Sequence, residues 1–223
     1  MVASIVYSID ELREYAAKAG LGLQFVVKEA FLFELLELLD EQGFVLKGGT
    51  AINKCYLQGH QRFSEDLDYD TAASKESIKK FMRQIGWPIK KEFFTKRSIG
   101  FLLGYEFNGV KDVVKADFSF NLDGKYEKSR LVSDFLPISK RTNVYTLENL
   151  IGQKERAFET RHEWKDLYDL YWLSSLYPNK FRIANRNGFT AALASISVPK
   201  TANSFIPLQK RLNWDEVKEA LGR

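Results

Sequence analysis

Two groups of residues with types suited to phosphate and metal binding stand close together in the segment 47–70. The first is Lys47-Gly48-Gly49-Thr50, which ends a short apolar run and precedes a segment with helix-compatible spacing, 50–57. A strand that ends at glycines and leads into a helix directs backbone N–H groups and the helix dipole toward an anion. We therefore predict that these four residues bind phosphate oxygens. The alternative is a plain turn, because glycine commonly does no more than permit one.

The second group, Ser64-Glu65-Asp66-Leu67-Asp68-Tyr69-Asp70, is rich in carboxylates. In a strand, alternation places Ser64, Asp66, Asp68 and Asp70 on one face. Aspartate is unfavourable in strands and neighbouring like charges repel, so such a face needs a compensating ligand. Mg²⁺ prefers one or two carboxylates together with substrate phosphates. We predict one or two Mg²⁺ ions on Asp66 and Asp68, with Ser64 beside the phosphates. The alternative is a solvated polar strand end or loop.

Asp117 is a lone acid in the apolar β-type run 110–120. Burying an unpaired carboxylate costs roughly several kcal/mol, so Asp117 needs a partner. That partner is either a metal ion or a structural hydrogen-bond donor.

The elements that must position these residues follow from the hydrophobic pattern. It predicts helices at 10–18, 23–40 and 74–85, the second of them amphipathic and packed on a sheet. It also predicts β-type runs at 92–96, 98–107 and 110–120, with Asn108-Gly109 as a hairpin turn between the last two.

A later segment adds candidate site residues. Thr146 is a suitable N-cap for a helix that carries Lys154 beside an apolar stripe. Lys154 either reaches into a cleft and neutralises a triphosphate or extends its ammonium to water. The next helix, 165–175, has Asp166 and Asp169 three residues apart on one face. Asp166 is favoured over Asp169 as the functional residue; the alternative is that Asp166 only complements the helix dipole.

The strings KGGTAI and RFSEDLDYD together resemble the motif of the DNA polymerase β-like nucleotidyltransferases. More narrowly, the chain is similar to the AbiEii/AbiGii toxin family of type IV toxin–antitoxin and phage-abortive systems. The lead-in Arg62-Phe63-Ser64 and the later string from Lys154 through Arg161 to Asp166-Leu167-Tyr168-Asp169 favour this narrower group. The loop 51–65 is long for the family, and Lys165 stands where the family often has arginine.

The resemblance implies an enzyme that moves a nucleoside monophosphate from a nucleoside triphosphate (NTP) to a hydroxyl acceptor, expected to be a tRNA 3′ end. It implies Mg²⁺ ligation by Asp66, Asp68 and Asp117, catalytic roles for Lys154 and Asp166, and nucleotide binding by Lys47, Gly48, Gly49, Thr50, Ser64 and Lys154. It further implies a cognate antitoxin, which need not bind the toxin directly.

The expected fold is α/β (α+β): a small mixed sheet flanked by helices. We predict a nucleotidyltransferase core at residues 1–145 and a C-terminal helical region at residues 146–223, with the cleft between them.

Composition agrees with a globular enzyme. The 223 residues are 45% hydrophobic and 28% charged, with a net charge of +4. No apolar run approaches the ~20 residues of a membrane span, and a single cysteine, Cys55, excludes an internal disulfide. We therefore expect a cytoplasmic protein without a membrane partner. The basic C-terminal tail either contacts RNA or DNA or is simply solvated.

Two other functions remain open from the sequence. The same site could transfer a phosphoryl or nucleotidyl group to a protein or a small molecule such as an antibiotic. Alternatively, the chain could be an inactive nucleotide-binding module. The intact pair Asp66 and Asp68 argues for activity.

Overall fold

The structure is a computed structural model that describes residues 5–40 and 42–222. Its helices are α1 (Ile9–Ala19), α2 (Leu23–Asp40), α3 (Gly48–Tyr56), α4 (Lys75–Gln84), α5 (Leu147–Arg161), α6 (Trp164–Leu176), α7 (Arg186–Ser195) and α8 (Trp214–Gly222). Two short 3₁₀ turns, Lys200–Ser204 and Leu208–Lys210, lie between α7 and α8. Its strands are β1 (Val45–Lys47), β2 (Asp66–Asp70), β3 (Ile89–Phe94), β4 (Ser98–Phe107), β5 (Val110–Ser119), β6 (Tyr126–Val132) and β7 (Ser139–Tyr145).

The seven strands form one mixed sheet in the order β3-β4-β5-β2-β1-β7-β6. Strand β2 runs parallel to β5, and β1 runs parallel to β7, whereas the other neighbouring pairs are antiparallel. The predicted turn at Asn108-Gly109 joins β4 to β5, and both residues have the positive φ (47° and 83°) that a two-residue hairpin turn of type I′ requires. The α/β class with a mixed sheet is thus confirmed.

Helix α2 differs from its prediction. Buried residues lie all around it, including the consecutive run Phe31, Leu32 and Phe33. The reason is its position, because α2 contacts α1 as well as strands β2, β5 and β7. A helix packed on several sides needs apolar residues on each of them, so an amphipathic pattern was the wrong expectation.

Strands β6 and β7 have no counterpart among the predicted β-type runs. Strand β6 lies at the edge of the sheet, and most of its residues are exposed. Its sequence, YEKSRLV, is therefore mostly charged or polar. Edge strands commonly carry charges that prevent pairing with other chains, which weakens the alternation that would identify them.

The C-terminal helices form a second hydrophobic cluster. Its buried members include Phe158, Leu167, Leu170 and Phe189. Helix α5 joins the two clusters, because its residue Ile151 packs in the main core and its Phe158 in the second. Every helix within residues 5–40 and 42–222 is too short or too polar to cross a membrane.

Candidate active site

A cleft of about 690 Å³ lies between the start of α3, strand β2 and helix α5. It is mostly polar, and residues of both charges line it. Among the residues that line it are Lys47, Gly48, Gly49, Asp68, Asp70, Asp123, Lys154, Arg156 and Arg161. The predicted phosphate-binding segment and the predicted α5 lysine therefore meet at one cleft, with Asp68 between them.

Helix α3 begins at Gly48, two residues earlier than predicted, so both glycines belong to its first turn. The N–H groups of a first helical turn have no partner within the helix and are available to an anion. Gly48 has a φ of +72°, and a Cβ built there would lie 2.6 Å from Asp68 Oδ2. The glycine thus allows the helix start to approach the Asp68 carboxylate more closely than any other residue would.

Thr50 and Ser64 are both buried and lie beside each other. The Thr50 hydroxyl is 2.9 Å from the Ser64 hydroxyl and 2.5 Å from the Asp66 carbonyl oxygen. These contacts connect α3 to the start of β2. In this arrangement the two hydroxyls serve as a structural link, and their predicted contact with phosphate would need them to exchange these partners.

The carboxylates lie in one cross-strand row. Asp68 on β2 is the direct partner of Asp117 on β5, and Lys47 on β1 is the partner of Asp68. Directly paired residues project from the same face of a sheet. Asp66 lies two residues before Asp68 and therefore shares that face. The structure thus brings Asp66, Asp68 and Asp117 to one side of the sheet, as the sequence predicted.

Lys115 is the partner that Asp117 was expected to need. It pairs with Asp66 across the strands and forms an ion pair with Asp117. The carboxylates remain incompletely compensated. Burial, and then the charges of Asp66 and Asp117, raise the pKa of Asp68 to about 6. Burial also raises the pKa of Asp66.

This set of donors fits a divalent cation. Within residues 5–40 and 42–222, no three acidic, histidine or cysteine side chains come close enough together to form a ready-made metal centre. However, carboxylate oxygens are the ligands that Mg²⁺ prefers, and it completes its coordination with water and substrate phosphate. Burial first, and then the charges of Asp66 and Asp117, raise the pKa of Asp68, and a bound cation would favour its ionised form.

Lys154 lies in a buried ion-pair network. Its ammonium is 2.9 Å from Asp166 Oδ1 and 3.0 Å from Asp169 Oδ2, and its side chain is only 4% exposed. Lys154 therefore does not extend its ammonium to water, which was the alternative prediction. Asp166 sits in the first turn of α6, but its carboxylate contacts Lys154 and Arg161. Both aspartates of α6 thus point toward Lys154, rather than Asp166 alone.

Arg62 and Asn53 extend this network to the glycine segment. Arg62 donates two hydrogen bonds to Asp169, of 3.0 and 2.6 Å, and Asn53 Nδ2 donates to both Asp169 Oδ1 and the Gly49 carbonyl oxygen. The loop before β2 is therefore fixed through Arg62. We term these side chains, Asn53, Arg62, Lys154, Arg161, Asp166 and Asp169, the α5–α6 network.

The α5–α6 network has three cations and two carboxylates, and at its edge the Glu163 carboxylate lies 3.7 Å from Arg161 Nε. Arg161 donates two hydrogen bonds of 2.7 Å to Asp166, yet about half of its side chain is exposed at the cleft. Although burial alone would raise the pKa of Asp166, Lys154 and Arg161 hold that pKa below its usual range. Of the network's cations, Arg161 is the one whose exposed guanidinium brings positive charge to the cleft.

Lys47, the remaining predicted residue, contacts polar side chains of strands β2 and β5. Its ammonium is 2.5 Å from Asp70 Oδ1 and 3.1 Å from Ser119 Oγ. Asp70 also accepts a hydrogen bond of 2.9 Å from the Tyr145 hydroxyl. Lys47 thus compensates Asp70, and about a quarter of its side chain is exposed.

Sequence reasoning missed several residues that shape the site: Asn53, Arg62, Lys115 and Arg161. Lys115 was detectable, because it stands two residues before Asp117 and must share its face in a strand. In the sequence, Arg62 and Arg161 stand out only as parts of the strings that carry the family resemblance. Lys165, which the resemblance expected as an arginine, lies 3.4 Å from Glu65 Oε2.

Comparison with solved structures supports the fold. A putative nucleotidyltransferase from H. pylori aligns with a TM-score of 0.62 at 21% identity, covering 91% of this chain and 93% of its own. JHP933 from Helicobacter pylori aligns with a TM-score of 0.63 at 21% identity, covering 91% and 90%. MenT4, a nucleotidyltransferase toxin from Mycobacterium tuberculosis H37Rv, gives 0.63 at 18% identity, covering 83% and 68%. No curated protein is similar enough to count as a relative.

The sequence itself matches a protein-family model over residues 30–221. That model describes the nucleotidyl transferase AbiEii toxin of type IV toxin–antitoxin systems. The match includes the glycine segment, the carboxylate row and the α5–α6 network. The chain therefore belongs to the AbiEii family of nucleotidyltransferase toxins.

Proposed function

We propose that the protein transfers a nucleoside monophosphate from an NTP to a hydroxyl at the 3′ end of a tRNA in an Mg²⁺-dependent reaction. The observation that carries this proposal is the row in which Asp68 lies between Asp117 and the start of α3. Nucleotidyl transfer needs a site for the triphosphate and a site for the reacting α-phosphate side by side, and this row supplies both.

The triphosphate would bind along the cleft between α3 and α5. The N–H groups of Gly48 and Gly49 face its oxygens at the helix start, where the dipole favours negative charge. Arg161 offers exposed guanidinium hydrogen atoms from the opposite wall. Lys154 contributes its charge from behind Asp166, and Lys47, which pairs with Asp70, adds a second, partly exposed cation. Thr50 and Ser64 hold the start of α3 against β2.

Asp66, Asp68 and Asp117 would hold the Mg²⁺. When bound, the metal activates the attacking hydroxyl and stabilises charge on the leaving pyrophosphate. The protein contributes position and electrostatics: Asp68 and Asp117 fix the reacting end of the substrate, and Arg161 and the α3 start orient the phosphates that leave.

The tRNA acceptor follows from the family resemblance, as does the biological role. Modification of acceptor ends would stop translation in the cytoplasm, which suits a toxin controlled by an antitoxin and used against phage. A basic tail supports contact with an RNA backbone: residues 180–223 hold eight lysines and arginines against three acidic residues.

The test is incubation with total RNA, Mg²⁺ and each of four labelled NTPs, followed by a sizing gel. We expect label from one or more NTPs in the tRNA band, together with pyrophosphate release. Label on protein or on a small molecule would instead assign the reaction to a different acceptor class. Absence of label from every acceptor would refute the proposed activity.

Asp68→Ala should abolish the label while the circular dichroism spectrum stays unchanged. Asp215→Ala is the matched control, because Asp215 is an exposed acid on α8 and is not among the residues that line the cleft. Transfer by Asp68→Ala at the wild-type rate would remove the assignment of the carboxylate row.

A further inference from the structure

The carboxylate row does not end at Asp117. Gly100 on β4 is the direct partner of Asp117, and Phe93 on β3 is the direct partner of Gly100. Because paired residues share a face, Phe93 projects from the same side of the sheet as the carboxylates. Strand β3 is the edge of the sheet, so the row runs from an aromatic residue at the edge to Lys47 near the centre.

Gly100 brings the aromatic ring and the carboxylate together. A Cβ built at Gly100 would lie 2.1 Å from Asp117 Oδ1 and 2.2 Å from Phe93 Cε2. Both side chains therefore occupy the space above this glycine, and a larger residue there would displace one of them. The ammonium of Lys115 lies 5.5 Å from the centre of the Phe93 ring, on the same face.

The edge around Phe93 is basic and accessible. Phe93 itself is half-buried, whereas Lys90, Lys91, Lys96 and Arg97 are all exposed. The acidic residue of β3, Glu92, projects from the other face and pairs with Lys79 on α4, with an Nζ–Oε2 distance of 3.0 Å. The exposed lysines and arginine at this edge of the sheet thus offer charge complementary to a phosphate backbone.

We propose that Phe93 stacks a base of the acceptor RNA near its single-stranded 3′ end, with Lys91 and Lys115 facing the adjoining backbone. This inference rests on the proposed nucleotidyl transfer and assigns the acceptor to the side of Asp117 opposite the triphosphate cleft. Aromatic stacking accepts any base, so Phe93 contributes affinity and position without sequence selection. A hydroxyl of the same RNA chain can then reach the carboxylates beside the Phe93 ring.

The experiment compares Phe93→Ala with Phe94→Ala in steady-state transfer to purified tRNA. Phe94 is the matched control because it neighbours Phe93 on the same strand, is 62% exposed and points toward Lys75 of α4. We expect Phe93→Ala to raise the KM for RNA about tenfold, in line with the loss of one base stack. The KM for NTP should stay unchanged, and Phe93→Trp should restore the RNA KM.

An unchanged RNA KM in Phe93→Ala, or a raised KM for NTP instead, would overturn the assignment. Should Phe93→Ala fail to fold, Phe93→Leu keeps the apolar bulk without the aromatic face, and the same tenfold effect is expected. Fluorescence anisotropy of a labelled single-stranded RNA, measured in the Asp68→Ala background, gives affinity without turnover. Absence of label from every acceptor in the wild-type protein would refute the proposed activity itself, whereas Asp68-dependent transfer with normal RNA affinity in Phe93→Ala would refute only the acceptor site.

Discussion

The two walls of the cleft treat their aspartates in opposite ways. On the sheet, Asp66, Asp68 and Asp117 share the compensation of Lys115, and the pKa of Asp68 is raised to about 6 by burial and by its acidic neighbours. In the α5–α6 network, two aspartates meet three cations, and the pKa of Asp166 is lowered. The carboxylates of the sheet are incompletely compensated, whereas those of the α5–α6 network are fully paired with cations.

The two sets of aspartates therefore differ in charge compensation. Those on the sheet lack enough cations, whereas those of the α5–α6 network are fully paired within the fold. Carboxylates kept close together without enough cations cost free energy, which a bound cation would recover. Aspartates fully engaged by arginine and lysine are costly to remove, because each leaves a buried charge without a partner. The aspartates of the two walls should therefore respond differently to substitution.

The largest effect is expected for Asp169→Ala. This change leaves the Arg62 guanidinium buried without its two hydrogen bonds, and the free energy of unfolding should fall by about 3–5 kcal/mol. Urea unfolding followed by circular dichroism measures it. The double variant Arg62→Met with Asp169→Leu is the control, and it should recover most of the loss. A loss below about 1 kcal/mol in the single variant would contradict the scaffold role.

Asp166→Asn should change how stability depends on pH. The lowered pKa of Asp166 means that its ionised form stabilises the fold above the ordinary carboxyl pKa, and that this contribution is lost as the pH falls through the folded-state pKa. The variant should thus be less stable than wild type at pH 7, with a smaller difference near pH 3. Thermal unfolding across this range tests the sign, and a difference that grows on acidification would reverse it.

Lys115→Met should have a smaller effect and one that depends on metal. Lys115 is partly exposed, so its loss should lower the free energy of unfolding by about 1 kcal/mol or less. Because the carboxylates then have less compensation, millimolar Mg²⁺ should raise the melting temperature more in the variant than in wild type. Equal shifts in both proteins would show that the carboxylate row does not bind the added ion.

Asp68→Asn should have the smallest effect on stability. It removes one charge from a group of like charges, so the free energy of unfolding should stay within about 0.5 kcal/mol of wild type or rise. The same variant should lose NMP transfer. A loss of stability comparable to that of Asp169→Ala would place Asp68 with the scaffold instead.

The sequence was sufficient to predict the sheet core of the site. Period-two alternation put Asp66 and Asp68 on one face, and the Asn108-Gly109 turn predicted the β4–β5 hairpin that carries Asp117. These features depend on local geometry, which neighbouring residues determine. The helix ends of α2 and the bounds of β4 also matched their predictions.

The partners of Lys154 could not be predicted in the same way. Lys154 and Asp166 lie on different helices, and Asn53 meets Asp169 across more than a hundred residues. Such contacts depend on how α3, α5 and α6 pack, which no local pattern specifies. The acidic strand likewise could not reveal which cations its neighbours would supply, namely Lys47 on β1 for Asp70 and Lys115 on β5 opposite Asp66.

The two-residue turn at Asn108-Gly109 closes the hairpin of β4 and β5, and β5 carries Asp117. Because the turn is only two residues long, Phe107 lies opposite Val110. The pairing then continues without a register shift to Gly100 opposite Asp117. One inserted residue in this turn would shift the register of the hairpin by one residue. Either Asp117 would then face the hydrophobic side of the sheet, or an apolar neighbour of Gly100 would take its place beneath Phe93. The turn therefore determines the position of Asp117 through the register of the hairpin.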